Sequence, residues 1–296
     1  MSESTSGRKP EWLKVNVPAG ENWRRLSELV ERKGLATVCD SARCPNKAEC
    51  WDQSTATFMV LGSVCTRGCR FCAVGRARAG ESVRADEPER LADAIAELGL
   101  RYAVITSVDR DDLPDRGAGH FAACVRAIKA RDAGVLVEVL IPDYRESEIT
   151  GILDAAPDVV AHNVETVARL QNLRDVRASM AASLHTLYIA AERSRHAGGK
   201  PAVKSSLILG LGETDDEIVA TMRELRAVGC THLVMGQYLR PTRAQIEVAR
   251  YLTPEEFAEL GRTALSLGFV SVVSEPLART SYHARQAFDA PAPEGA

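Results

Sequence analysis

Between residues 55 and 273 the chain alternates two kinds of apolar pattern. Short runs that are apolar at nearly every position, rich in Val, Ile and Leu, occur at 55–62, Tyr102–Val108, Val135–Ile141, Val159–Asn163, Val203–Leu209, His232–Leu239 and Phe269–Val273. Runs of this length and composition predict strands buried on both faces. Between most of them apolar residues recur three and four apart: Leu91, Ile95 and Leu98; Phe121, Val125 and Ile128; Ile218, Met222 and Leu225. That spacing lines one face of a helix. An earlier helix is predicted over 21–33 from Trp23, Leu26, Leu29 and Val30, with Gly34 to stop it. The helix ends agree with the periodicity. Thr214 and Glu217 have the capping-box spacing and Gly229 follows the last apolar position; Thr253, Pro254 and Glu256 open another helix that Gly268 closes.

Strand–helix repeats with continuously apolar strands mean a parallel sheet covered by helices, so the fold class is α/β. Strands are expected near Phe58, at five further places through Tyr238, and at a seventh near Val272. The count falls short of a closed eight-stranded barrel. It predicts a partial, open TIM-type (β/α)6 barrel rather than a doubly wound sheet. Ligands in such folds gather at the carboxyl ends of the strands. Here those ends carry Ser107, Asp109 to Asp112, Asp143, His162 to Glu165, Gly210 to Glu213 and Gln237 to Arg240.

Composition narrows the field without selecting a function. The 296 residues carry a net charge of −3, with both signs mixed, so neither nucleic acid nor an anionic membrane is the expected partner. The first residues show no apolar signal core, and no apolar run reaches the roughly 18 to 20 residues that span a bilayer. A cytoplasmic setting is expected, with residues 1–10 and the tail after Phe288 mobile. In that reducing compartment a disulfide framework is improbable.

The cysteines do select a chemistry. Six of the eight lie between Cys39 and Cys72, as two triads of different spacing: Cys39, Cys44, Cys50 and Cys65, Cys69, Cys72. Three thiolates in a short loop can hold three irons of a cubane and leave the fourth open. Zinc sites pair their cysteines in knuckles, and neither triad does so. Iron–sulfur ligation is therefore the favoured reading and zinc the competing one. Cys124 falls on an apolar helix face and Cys230 at a strand start, both as core residues. His120, His185, His196 and His232 show no ligand spacing.

The segment Cys65-Thr-Arg-Gly-Cys69-Arg-Phe71-Cys72 resembles the cluster loop of the radical S-adenosylmethionine (SAM) superfamily, including an aromatic residue before the last cysteine. The resemblance implies an open barrel, a 4Fe–4S cluster whose free iron is chelated by SAM, and reductive cleavage to a 5′-deoxyadenosyl radical. Over nearly its whole length the chain further resembles the lipoyl synthase family. The matching segments are 8–12, 42–46, 55–59, 104–113, 162–166, 210–214, 236–239 and 279–283, together with the first triad, which has the spacing of that family's auxiliary cluster.

That resemblance implies insertion of two sulfur atoms at C6 and C8 of a protein-bound octanoyl-lysine, the auxiliary 4Fe–4S cluster being the sulfur donor. Cys39, Cys44 and Cys50 would hold this second cluster, with Ser281 on its fourth iron. A hydroxyl oxygen is a weaker partner for that iron than thiolate, which suits a cluster that must come apart. SAM is expected against Phe71, Thr106, Ser107, Asn163, Glu165, Lys204, Gly210 and Glu213, with Asp109 beside Thr106 and Ser107. Arg279 is expected to meet substrate or cluster, the alternative being a surface salt bridge. For Lys204 the alternative is an outward, snorkelling side chain; for Gly210 and Glu213, a plain strand-to-helix turn. The implied organisation is residues 1–52 with the auxiliary cysteines, 53–240 as the barrel, and 241–296 with the serine, the two extensions closing over the barrel mouth. Implied partners are an octanoylated lipoyl carrier domain or the glycine-cleavage carrier protein, a flavodoxin- or ferredoxin-type electron donor, and an iron–sulfur carrier that rebuilds the cluster. Thr280, Glu275, Val176 and Met180 depart from the family pattern, and none of them is a cluster ligand. A methylthiotransferase-like enzyme and a non-catalytic iron–sulfur electron carrier are the alternatives.

Overall fold

The computed structural model describes residues 9–14, 21–52, 56–282 and 284–289. Most of residues 1–10, and the tail from 290 on, lie outside them. An N-terminal arm comes first: α1 (Glu21–Arg32), β1 (Ala36–Thr37), α2 (Val38–Ser41) and α3 (Lys47–Asp52). The apolar stripe of α1 buries Leu26, Leu29 and Val30. The arm is pinned by aromatic contact, the rings of Trp23 and Trp51 lying 6.0 Å apart with the Lys47 ammonium 4.1 Å over Trp51.

The barrel then builds up by strand–helix repeats. β2 (Thr57–Val60) leads through the short parallel pair β3 (Val64–Cys65) and β4 (Gly75–Arg76) to α4 (Glu87–Leu98). There follow β5 (Tyr102–Ser107), α5 (Ala118–Arg131), β6 (Leu136–Leu140), α6 (Glu146–Leu153), β7 (Val159–Ala161) and α7 (Met180–His196). The last elements are β8 (Ala202–Leu209), α8 (Asp215–Ala227), β9 (His232–Gln237), α9 (Pro254–Ser266), β10 (Ser271–Ser274) and α10 (Ala284–Asp289). Both capping boxes form, Thr214 with Glu217 on α8 and Thr253 with Glu256 on α9.

One sheet runs in the order β1-β2-β5-β6-β7-β8-β9-β10. Seven strands are parallel, and β1 adds antiparallel to β2. Its edges, β1 and β10, do not pair, so the barrel is open, as the strand count predicted. The sheet also continues past residue 240 through β10. The main core lies between the sheet's outer face and the helices, where Ile105, Phe121, Val139, Leu207 and Met222 are buried.

The inner face of the barrel changes character with depth. Thr106, Leu140, Ser206 and Ile208 line cavities at the mouth. Two residues lower on the same faces, by strand alternation, come Glu138 and Lys204. Lys204 is fully buried and its Nζ lies 3.0 Å from Glu138 Oε1, while the Tyr102 hydroxyl donates to the same carboxylate at 2.6 Å. This ion pair forms a polar floor.

The C-terminal segment does more than cover the mouth. Ala278 presses its carbonyl against β9 at Gly236, where a Cβ would stand 2.0 Å from that oxygen. Thr280 Oγ1 lies 3.0 Å from Ser206 Oγ and 3.2 Å from Asn163 Oδ1, inside the barrel. Helix α10 then carries Phe288 to within 6.1 Å of the Tyr102 ring, at the floor. The segment therefore passes from the mouth down to the strand starts. The N-terminal arm joins it at the mouth through Asn46, whose amide donates to Leu277 O at 2.6 Å.

Candidate active site

Two cavities share a wall at the carboxyl ends of the strands. The larger, about 860 Å³, is lined by Cys65, Cys69, Cys72, Thr106, Ser107, Asp109, Asn163 and Glu165, among others. The smaller, about 400 Å³, is lined by Cys39, Cys44, Cys50, Ser281, Arg279 and Thr280, with Ser206 and Ile208 below. Phe71, Cys72, Leu140, Asn163 and Glu165 line both. The two triads thus separate into adjoining chambers, and Ser281 joins the first triad from the far end of the chain.

The loop of Cys65, Cys69 and Cys72 leaves β2 and is clamped by Arg67. This guanidinium is buried and reaches three carboxylates: Asp111 at 2.9 Å, Asp109 at 3.2 Å, and Asp143 at the end of β6. Backbone amides point at the sulfurs, Arg67 N 3.4 Å from Cys65 Sγ and Asp175 N 3.4 Å from Cys69 Sγ. Such N–H donors orient thiolate ligands and tune a cluster. Asp175 in turn accepts from Gly68 N at 2.8 Å and from Arg177.

Burial governs the electrostatics. It pushes the thiols of Cys50 and Cys69 up to about 12 and that of Cys65 to about 11. The thiols of Cys39, Cys44 and Cys72 move in the same direction for the same reason. Bare thiolates are costly here, so cations must accompany them. The Asp109 carboxyl rises to about 6 through burial and its neighbours Asp143 and Asp111, against the pull of Arg67. Burial also raises Glu165 and lowers Arg279, the latter opposed by the Cys44 thiol and by Glu165.

The residues fit the groups the sequence implies. All eight cysteines are free. Among the described residues no three His, Cys, Asp or Glu converge closely enough to hold one ion. A single zinc would need its sulfurs each about 2.3 Å away, whereas thiolates on separate irons of a cubane stand apart. For SAM the larger cavity is of small-molecule size, within the usual ~300–1,000 Å³. It also holds Ser107 Oγ, buried and without a protein partner. Glu165, which faces both chambers, adopts φ +66, the left-handed region that a non-glycine residue enters at a cost of about 1 kcal/mol.

Three expected contacts lie elsewhere. Lys204 lines neither cavity and does not snorkel outward, because Glu138 holds its ammonium at the floor. Glu213 folds back to accept from Gly210 N and Leu211 N, closing its own turn. Gly210, at φ +99, sits against Gln237, where a Cβ would be 2.1 Å from Nε2. This turn packs behind the wall through Leu211, beside Phe71, Leu173 and Tyr238. Conversely, Arg67, Arg174 and His162 were not legible as site residues. Neutral His162 donates from Nδ1 to Ile141 O at 2.8 Å and accepts at Nε2 from Ser183, burial holding its pKa near 4. Arg174 also donates to Ser183, at 2.9 Å, so both residues brace the wall beside Glu165. Of the departures, Glu275 and Val176 are exposed and line neither cavity.

Comparison with known proteins gives a consistent picture. Residues 59–225 match the profile of the radical SAM superfamily, and residues 2–44 match the N-terminal domain of lipoyl synthase. A lipoyl synthase of Methanocella arvoryzae is 47% identical, covering 97% of each chain. That of Methylococcus capsulatus is 51% identical over 94% of this chain and 86% of its own length. Among solved structures, methylornithine synthase superposes with a TM-score of 0.58 at 12% identity, covering 73% of this chain and 63% of its own. The radical SAM enzyme coproporphyrinogen III oxidase of Escherichia coli superposes with a TM-score of 0.50 at 14% identity, over 77% and 57%. These two likenesses concern the fold.

Proposed function

The chain belongs to the lipoyl synthase family of the radical SAM superfamily, and on that premise we propose how its two chambers divide the work. It is a sulfurtransferase that converts protein-bound octanoyl-lysine to the lipoyl cofactor, using SAM and two 4Fe–4S clusters. The observation that carries the division is the shared wall: one cysteine triad on each side, with Asn163, Glu165 and Phe71 between.

Cys65, Cys69 and Cys72 hold three irons of the permanent cluster. No side chain is basic enough to take a proton from a saturated carbon; SAM bound at the open iron supplies the hydrogen-abstracting species instead. Arg67 keeps the loop in one geometry by tying it to the ends of β5 and β6. Thr106, Ser107, Asn163 and Glu165 orient SAM, and Phe71 closes the wall behind it. Cys39, Cys44, Cys50 and Ser281 hold the cluster that acts as sulfur substrate, next door to the carbon it must reach. Thr280, buried between Ser206 and Asn163, fixes the approach of Ser281.

In this reading residues 1–52 supply the sulfur-source cysteines, 53–240 the radical site and 241–296 the closing serine. The octanoyl chain arrives on a lipoyl carrier domain or the glycine-cleavage carrier protein. A flavodoxin- or ferredoxin-type donor supplies electrons, and an iron–sulfur carrier restores the consumed cluster. The setting is the cytoplasm, which keeps the eight cysteines reduced; none of the described helices is long and apolar enough to cross a membrane. The test is anaerobic reconstitution with SAM, a reductant and an octanoyl-lysyl peptide, read by mass spectrometry. Thiolated peptide is expected. Formation of 5′-deoxyadenosine with no thiolated peptide would sink the sulfur-insertion reading.

A further inference from the structure

The mouth of the two chambers carries a charge that no carboxylate among the described residues answers. Arg70, Arg76 and Arg243 line the larger cavity and Arg43 the smaller; all four are exposed. None has a carboxylate partner among the described residues. The acids of the same cavities behave differently. Asp109 and Asp143 are held by Arg67, and Glu165 is buried near Arg174. The arginines come from three separate segments: the loop after α2, the Cys65–Arg76 loop and the loop after β9. The whole chain has a net charge of −3, so this rim is a local cationic excess.

A second observation points the same way. Arg43 holds φ +53, a left-handed backbone in which glycine would be at ease. A long cationic side chain is placed there at the expense of backbone strain, and it projects at the chamber edge. Strain of this kind gathers at functional positions.

We propose that this arginine rim docks an acidic protein surface, namely the face of the acyl carrier that surrounds the octanoylated lysine. The proposal rests on the reading that the substrate arrives on a carrier protein. A lysine-linked chain must thread into the mouth, so the carrier's own surface has to seat on whatever surrounds the opening. Exposed unpaired arginines steer and register an acidic partner more than they add raw affinity. A short octanoyl-lysyl peptide lacks that surface and does not use the rim.

The test uses the full-length protein with both clusters reconstituted, iron content being checked for each variant. Binding is measured by titration calorimetry with an octanoylated lipoyl carrier domain, and with the same domain after its carboxylates near the lysine are changed to amides. The double variant Arg76→Glu/Arg243→Glu is expected to bind the acidic carrier roughly tenfold more weakly at low ionic strength. At high ionic strength it differs little from the unmodified enzyme. Its turnover of octanoyl-lysyl peptide falls by a much smaller factor than its turnover of the octanoylated carrier domain. Arg43→Gly, which relieves strain and so keeps the fold, weakens carrier binding in the same salt-dependent way. Equal binding of the acidic and amide carriers, or unaltered binding by both variants, overturns the proposal. So does a loss confined to reduction by flavodoxin, which would give the rim to the electron donor. An enzyme that binds the acidic carrier through the rim but thiolates no peptide supports this docking surface while sinking the sulfur-insertion reading.

Discussion

The two cysteine triads are built in opposite ways. Cys65, Cys69 and Cys72 sit on a loop fastened to the barrel at many points: a buried guanidinium with three carboxylates, two amides aimed at sulfur, and Asp175 bridging Gly68 and Arg177. Cys39, Cys44 and Cys50 sit on and between two short helices of an arm that joins the sheet through a two-residue antiparallel strand. Ser281, their proposed fourth partner, is brought in by contacts such as Asn46 with Leu277. The first site is part of the barrel and the second is a junction between distant segments. The proposed permanence of one cluster and disassembly of the other match this difference in scaffold.

Removing one thiol from each site breaks the comparison most severely. Cys69→Ala should abolish 5′-deoxyadenosine formation altogether. Cys44→Ala should retain it and lose all thiolated product; product from Cys44→Ala would mean that the chambers do not divide the work as proposed. Ser281→Cys is next. It should keep the iron content of both sites yet lose most sulfur transfer, because a thiolate holds its iron more firmly than a hydroxyl. Full activity would remove the argument from a labile corner.

The scaffolds themselves differ by smaller amounts. Arg67→Met leaves Asp109 and Asp143 without an ion pair among the described residues, while Asp111 keeps Arg177, and should cost about 3 kcal/mol in denaturant unfolding. Asn46→Ala removes one hydrogen bond of the junction and should cost about 1 kcal/mol. It should speed iron loss from the second site alone, followed by absorbance during chelation. A cluster-free sample offers the mildest test. His232, at the floor, has its pKa lowered from 6.5 to about 4 by burial and by Lys204. The unfolded chain then binds the proton more readily, so stability is complete above pH 6.5 and declines as pH falls toward 4. His232→Gln should roughly halve the slope of that stretch of the melting-temperature profile, buried His162 supplying the rest, and should leave both cysteine sites untouched.

What could be read in the chain beforehand follows from which forces are local. The parallel strands were legible because β-branched runs such as Val104–Thr106 leave few other conformations, and the caps because Thr214 and Glu217 are three residues apart. Helix α7 had no such mark. Its buried face is Ser183, Thr186, Leu187, Ala190 and Ala191, too small and polar to show as a stripe. The site was legible in its cysteines and not in its fastenings. Arg67 and Asp143 are 76 residues apart, and Thr280 and Asn163 are 117 apart, so no spacing rule joins them. Lys204 shows the limit best. Strand position alone placed it on a face, but only the carboxylate of Glu138, on a strand two places away, decides that it serves the floor.

The contact between Asn46 and Leu277 spans 231 residues of chain, and this fixes an order of manufacture. A ribosome has delivered the three carboxylates around Arg67 and the Asp175 bridge of the first triad once it has passed Arg177. The bonds from Gln245 and Ile246 to Cys72 O and Arg70 O follow later. At Arg177 the ribosome has long since delivered Cys39, Cys44 and Cys50, which must wait through three more strands and three more long helices for Ser281. During that interval the arm carries three thiols and no fourth donor. On the proposed assignment, a growing chain therefore gains most of the fastenings of its radical-generating site before its sulfur source can be completed, and any machinery that loads iron onto nascent protein meets the two sites one after the other.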